Sequence, residues 1–186
     1  MPMSSRHLLL VAGVSLGLTA PALAGSAATP DVTVLIGKAT KLVRAKATFK
    51  KAVLLEADGT TAKHGKVSTA NGITKWRFVF DNQSTQGSRF ASVFVVANKG
   101  HFGKVTGMRG PFLEDRRITK PPKMTLATAV KKLRAKHYSG GFYDVTLRWP
   151  LGPGFNETLY IFGFGQAAKH PYVSVGTQTG RVKPLS

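Results

Sequence analysis

The sequence predicts an α+β protein of two similar units, each an N-terminal amphipathic helix packed on a three- to four-stranded antiparallel sheet. Three observations predict it. A basic helical motif occurs twice, Lys41-Leu42-Val43-Arg44-Ala45-Lys46 and, 90 residues on, Lys131-Lys132-Leu133-Arg134-Ala135-Lys136. Each copy is followed by short apolar runs in the same order, and Gly-[Lys/Arg]-Val closes both series. A self-similarity that keeps its order while its offset drifts is the pattern of a repeated unit with loops of unequal length.

Residues 1–24 precede the first unit and read as a cleavable signal peptide. Arg6 gives a positive start, and residues 8–18 (LLLVAGVSLGL) form an apolar run. That run is too short to span about 30 Å of hydrocarbon. Thr19-Ala20-Pro21 breaks it, and Ala22-Leu23-Ala24 offers the small-x-small pattern of a cleavage site. The expectation is cleavage after Ala24 and a secreted or periplasmic product. The chain has no cysteine, which excludes a lipidated cysteine, disulfides and thiolate metal sites.

The first unit covers residues 25–109. Val34, Leu35, Ala39, Leu42, Val43 and Ala45 recur at helical spacing, with Asp31 or Thr33 available as a cap. Strands follow at 52–57, 75–80 and 91–96, then a turn and short strand at Gly103-Lys104-Val105. Trp76, Phe78 and Phe80 alternate, which assigns them to the core under the helix; an exposed stacking face is the alternative. Residues 110–123 (GPFLEDRRITKPPK) read as an extended linker. Its prolines bar a helix, Arg116-Arg117 keep it wet, and Glu114-Asp115 pair locally with those arginines.

The second unit, residues 124–186, repeats the plan. Thr125 caps a helix carrying Leu126, Ala129, Val130 and Leu133 on one face. Strands at 142–147, 158–163 and 169–174 lead to Gly180-Arg181-Val182. Tyr143, Val145, Leu147 and Trp149 share one strand face.

The stretch Pro171-Tyr172-Val173-Ser174-Val175-Gly176-Thr177-Gln178-Thr179-Gly180-Arg181-Val182 resembles the closing strand-turn-strand of the PepSY module of secreted bacterial proteins. Gly176 stands where that family often has Asp, and the first unit matches more weakly, with His101-Phe102 inserted before Gly103. The tandem plan is also similar, in architecture alone, to that of β-lactamase inhibitory protein. The resemblance implies a PepSY-like protein that binds or inhibits a partner such as an envelope or secreted protease. It implies no catalytic residues.

Charge and chemistry narrow the function classes. With 27 Lys+Arg against 8 Asp+Glu the chain carries +19, falling to +18 if Arg6 leaves with the leader. Such a chain attracts polyanions, so an anionic envelope polymer is the alternative partner to an exported protein. The mature histidines, His64, His101, His137 and His170, lack metal-ligand spacing, and no GxSxG, SxxK or Walker pattern occurs. A non-enzymatic binding protein without cofactor or metal is expected. The candidate contact residues are Trp149 and Phe155, aromatic in or beside the Gly/Pro-rich loop LGPGFNE, together with Arg116, Arg117, Lys131, Lys132 and Arg134 from the densest basic clusters.

Overall fold

A computed structural model describes residues 29–62, 64–83, 89–112, 115–152 and 154–185. The expected signal peptide, residues 1–24, lies outside them. The architecture corrects the expected fold class. In place of two helix-on-sheet units there is one nine-stranded antiparallel sheet with two short helices, and the sheet dominates the fold.

The strands are β1 Val53–Thr60, β2 Lys75–Asp81, β3 Ser92–Asn98, β4 His101–Phe102, β5 Thr106–Met108, β6 Asp144–Arg148, β7 Leu159–Gly163, β8 Tyr172–Gly176 and β9 Val182–Leu185. Their spatial order is β4-β3-β2-β1-β6-β7-β8-β9, with β5 also on the outer side of β3. The physical reason for the correction lies in the β1–β6 seam. Five consecutive residue pairs, from Glu56↔Arg148 to Thr60↔Asp144, join the strands that would otherwise be the open edges of two separate sheets. Pairing those edges satisfies their backbone groups and removes two aggregation-prone borders.

Helix α1, Val32–Arg44, starts because the Asp31 carboxylate accepts from Thr33 N at 3.0 Å, and its last turn carries Lys41 and Arg44 against the negative end of the helix dipole. Its buried stripe is Val32, Leu35, Ile36, Ala39 and Val43; Val34 and Ala45, expected inside, are exposed. Helix α2, Leu126–Ala135, is capped by Thr125, whose hydroxyl accepts from Thr128 N at 3.2 Å. Both helices contribute to one core with one side of the sheet: α1 contacts β1 and β3, and α2 contacts β8. The two helix starts meet at Asp31, whose second oxygen also accepts from Leu126 N at 3.0 Å.

The core takes Trp76, Phe78 and Phe80 from β2, Val145 and Leu147 from β6, Tyr160 and Phe162 from β7 and Val173 and Val175 from β8, all 1% exposed or less. The strand aromatics are therefore packed against the helices and not stacked toward solvent. A bulge between Leu54 and Glu56 in β1 breaks the alternation, so that Leu54 and Ala57 both face this core. Gly59 is required here: a Cβ would stand 2.6 Å from Ile73 and 2.7 Å from the indole of its cross-strand partner Trp76.

The expected wet linker is partly structural. Residues 115–118 form a strap at the end of the seam, bridging Asp115 to Pro150 and Ile118 to Leu54. Ile118 is buried in the core and donates its N–H to Leu54 O at 2.7 Å. The described pairs of this segment are long-range, Asp115 with Arg148 and Arg117 with Asp81, both at 2.6 Å. Glu114 lies outside the described residues.

Candidate functional site

Strand register sends alternate side chains to the side of the sheet on which no described helix packs, the helix-free face, and it aligns them in rows. One row runs Val79, Glu56, Arg148, Leu159; the next Arg77, Asp58, Thr146, Ile161, Ser174; the third Lys75, Thr60, Asp144, Gly163, Tyr172. The middle of this face is ionic. The flanks are apolar, with Phe94, Val96, Ile161 and Leu185 half-buried and Tyr172 45% exposed.

The ionic strip is internally connected. The Arg77 guanidinium donates to Asp58 from Nη2 at 2.8 Å and from Nε at 3.1 Å, and to Glu56 at 3.1 Å. Thr146 Oγ1 donates to the other Asp58 oxygen at 3.1 Å. Glu56 is only 4% exposed. Burial, reinforced by the neighbouring Asp58 and Asp115, pushes its carboxyl up to about 8 against the pull of Arg77. Asp144 is also raised, by burial and then by the charge of Asp58.

Toward β9 the same face opens into a cavity of about 350 Å³. Leu159, Ser174 and Leu185 lie along it, the loop of Gly154, Phe155 and Asn156 borders it, and Arg181 and Lys183 supply cations. Glu157 belongs to its frame. Its carboxylate accepts from Gln178 N at 2.6 Å, Thr179 N at 3.1 Å and Thr179 Oγ1 at 2.5 Å. Burial opposes ionisation of Glu157, but these bonds and Arg181 hold it below its ordinary value. Gly176 has the room this requires, since a Cβ there would collide with the Glu157 carboxylate and Thr179. The turn after β8 is therefore held by a carboxylate from the loop between β6 and β7.

The sequence-derived contact residues separate into two groups. Trp149, Phe155 and Arg116 come together at one end of the sheet. Trp149 Nε1 donates to Phe155 O at 3.0 Å, and the Arg116 guanidinium lies 5.8 Å from the Trp149 ring centroid. Trp149 folds back against the core, and Phe155 borders the cavity, half-buried. Arg117 reaches Asp81 on the helix-free face. Lys131, Lys132 and Arg134 are on α2, on the opposite side. Lys131 is exposed and Lys132 packs over Gly180. Arg134 is engaged internally, donating to the carbonyls of Tyr138, Gly140 and Ser68.

Sequence reasoning missed Glu56, Asp58, Arg77, Asp144 and Tyr172. A signal existed in the i, i+2 spacing of Glu56-Asp58-Thr60 and Asp144-Thr146-Arg148, which places each trio on one strand face. Among the described residues no three His, Asp or Glu side chains are grouped as metal ligands, and no helix is long and apolar enough to cross a membrane. No family model, curated protein or solved structure matches the chain.

Proposed function

We propose that this chain is an exported, non-enzymatic binding or inhibitory protein that engages a protein partner through the helix-free face of its sheet. The observation that carries the reading is the face itself: strands lie side by side with no described helix packed on them, and Arg77, Asp58, Thr146, Ile161, Lys75 and Tyr172 reach solvent there, whereas Val79, Glu56 and Leu159 are buried. The five strands that carry these rows, β2, β1, β6, β7 and β8, span about 19 Å at about 4.8 Å per strand, so they supply part of the ~800 Å² per partner that a stable protein interface needs. Half-exposed apolar side chains and Tyr172 around a self-paired ionic strip suit a contact surface with desolvated anchors and satisfied charges. The ionisable groups of that strip are engaged with one another, which supports binding over turnover. Export rests on residues 1–24, and the choice of an envelope or secreted protease as partner rests on the PepSY-like stretch ending in Val182.

The test is capture of partners from an exported-protein fraction by the mature protein and by an Ile161→Asp/Tyr172→Ala variant. The expected result is a protein retained through moderate salt by the parent and lost at least tenfold by the variant, whose far-UV spectrum is unchanged. Retention by the variant equal to that of the parent would remove the helix-free face from the account.

A further inference from the structure

The charge of this molecule is divided between its two sides. Of the eight acidic residues, Glu56, Asp58, Asp81 and Asp144 point to the helix-free face by register, Asp115 pairs with Arg148 there, and Glu157 closes the turn after β8. Asp31 is the one acid described on the helix side. Both of its oxygens are engaged, one by the Thr33 N–H and hydroxyl and the other by Leu126 N. The basic residues also divide, by type. Arginines make the internal contacts: Arg77, Arg117 and Arg148 in ion pairs, Arg44 to Ala52 O at 2.9 Å, and Arg134 to three carbonyls. Among the described residues no lysine makes an ion pair, and Lys38, Lys41, Lys46, Lys50, Lys131 and Lys136 stand exposed on the helices and at their C-terminal ends.

From this segregation we infer that the helix side is a second binding surface, for a linear phosphate polymer recognised by charge density. The absence of neutralising carboxylates leaves the lysines a field of one sign, which is what attracts a chain of phosphates. The chemistry of the surface limits how that chain is read. Lysine is a point charge without the planar fork that selects a bidentate geometry. The aromatic rings of β2 and β7, the side chains suited to stacking on bases, lie inside the core. An anionic bilayer fits less well. Of the large apolar side chains described as exposed, Val34 alone lies on a helix, so little is available to insert among acyl chains. This surface is distinct from the helix-free face, and the two readings fail independently.

Binding of the mature protein to inorganic polyphosphate, to an oligothymidylate of about 30 nucleotides and to phosphatidylglycerol vesicles, each between about 50 and about 200 mM salt, tests the inference. Two variants of equal charge are compared with the parent. One is Lys38→Gln/Lys41→Gln/Lys131→Gln on the helices. The other is Lys75→Gln/Arg181→Gln/Lys183→Gln on or beside the helix-free face. All six side chains are exposed, and a thermal melt of each variant establishes that it is folded before binding is compared. The expected result is tight binding of both polymers at low salt, with the helix triple flattening the log–log salt slope by about 2 and the other triple leaving it nearly unchanged. The tighter of the two polymers identifies the source, a nucleic-acid backbone or a base-free phosphate chain. Equal losses in the two triples would show attraction to net charge without a built surface, and capture by vesicles but by neither polymer would assign the lysines to a membrane. Either outcome overturns the inference.

Discussion

Glu56 concentrates the electrostatics of the helix-free face in one side chain. It pairs across the seam with Arg148, receives a hydrogen bond from Arg77, and is nearly inaccessible to water. Because its pKa rises from an ordinary 4.5 to about 8 in the fold, the unfolded chain releases this proton at a lower pH than the folded one does. The stability that Glu56 contributes is therefore fully present below about pH 4.5 and is lost as pH rises toward 8. Replacing it with glutamine keeps the shape and an acceptor for Arg77 but removes the ionisation. Thermal melts should show Glu56→Gln matching the parent near pH 4.5 and exceeding it at about pH 9, by about 3 °C or more. A parent protein whose advantage over the variant grows with pH would mean that Arg77, and not burial, controls this carboxyl. The strip is only partly legible in the sequence. Two i, i+2 trios mark strand faces, yet nothing local tells that β1 and β6 pair and bring Asp58 beside Thr146 and Asp144 near both.

At the scale of the elements, the legible features are those written within a few residues. Asp31 and Thr125 cap helices because a short oxygen-bearing side chain precedes each apolar stripe. The strand aromatics alternate and enter the core. What the sequence does not disclose is the choice of partner for an open edge, because a half-buried strand reads the same whether it borders solvent or another strand. Two sheets and one sheet are therefore written alike. The strap is hidden for a related reason. Ile118 is an isolated apolar residue in a polar, proline-flanked run, and its partner Leu54 is distant in sequence. Its burial gives a direct prediction: Ile118→Ala lowers unfolding free energy by about 2–4 kcal/mol in urea, whereas a residue in a solvated linker changes it by less than about 0.5 kcal/mol.

The described molecule is a sheet with two unlike sides, one covered by helices whose outer surface is cationic and one on which no described helix packs and which carries the ion pairs of Arg77, Arg117 and Arg148. Continuity through the β1–β6 seam predicts that the two halves unfold together. The two tryptophans report on both sides of that seam, Trp76 on β2 and Trp149 just beyond β6. In Trp76→Phe and Trp149→Phe, fluorescence of the remaining tryptophan and far-UV circular dichroism should trace one coincident urea transition. Separate transitions for the two halves would mean that the seam does not couple them. The functional claim, that the open side is where a protein partner docks, is tested most directly by site-specific photo-crosslinking. A photoreactive residue replaces Tyr172 on the helix-free face in one variant and Lys38 on α1 in another, and each protein is irradiated in the exported-protein fraction at moderate salt. The account predicts a discrete protein adduct from position 172 and none from position 38. An adduct from position 38 with none from position 172 would contradict it.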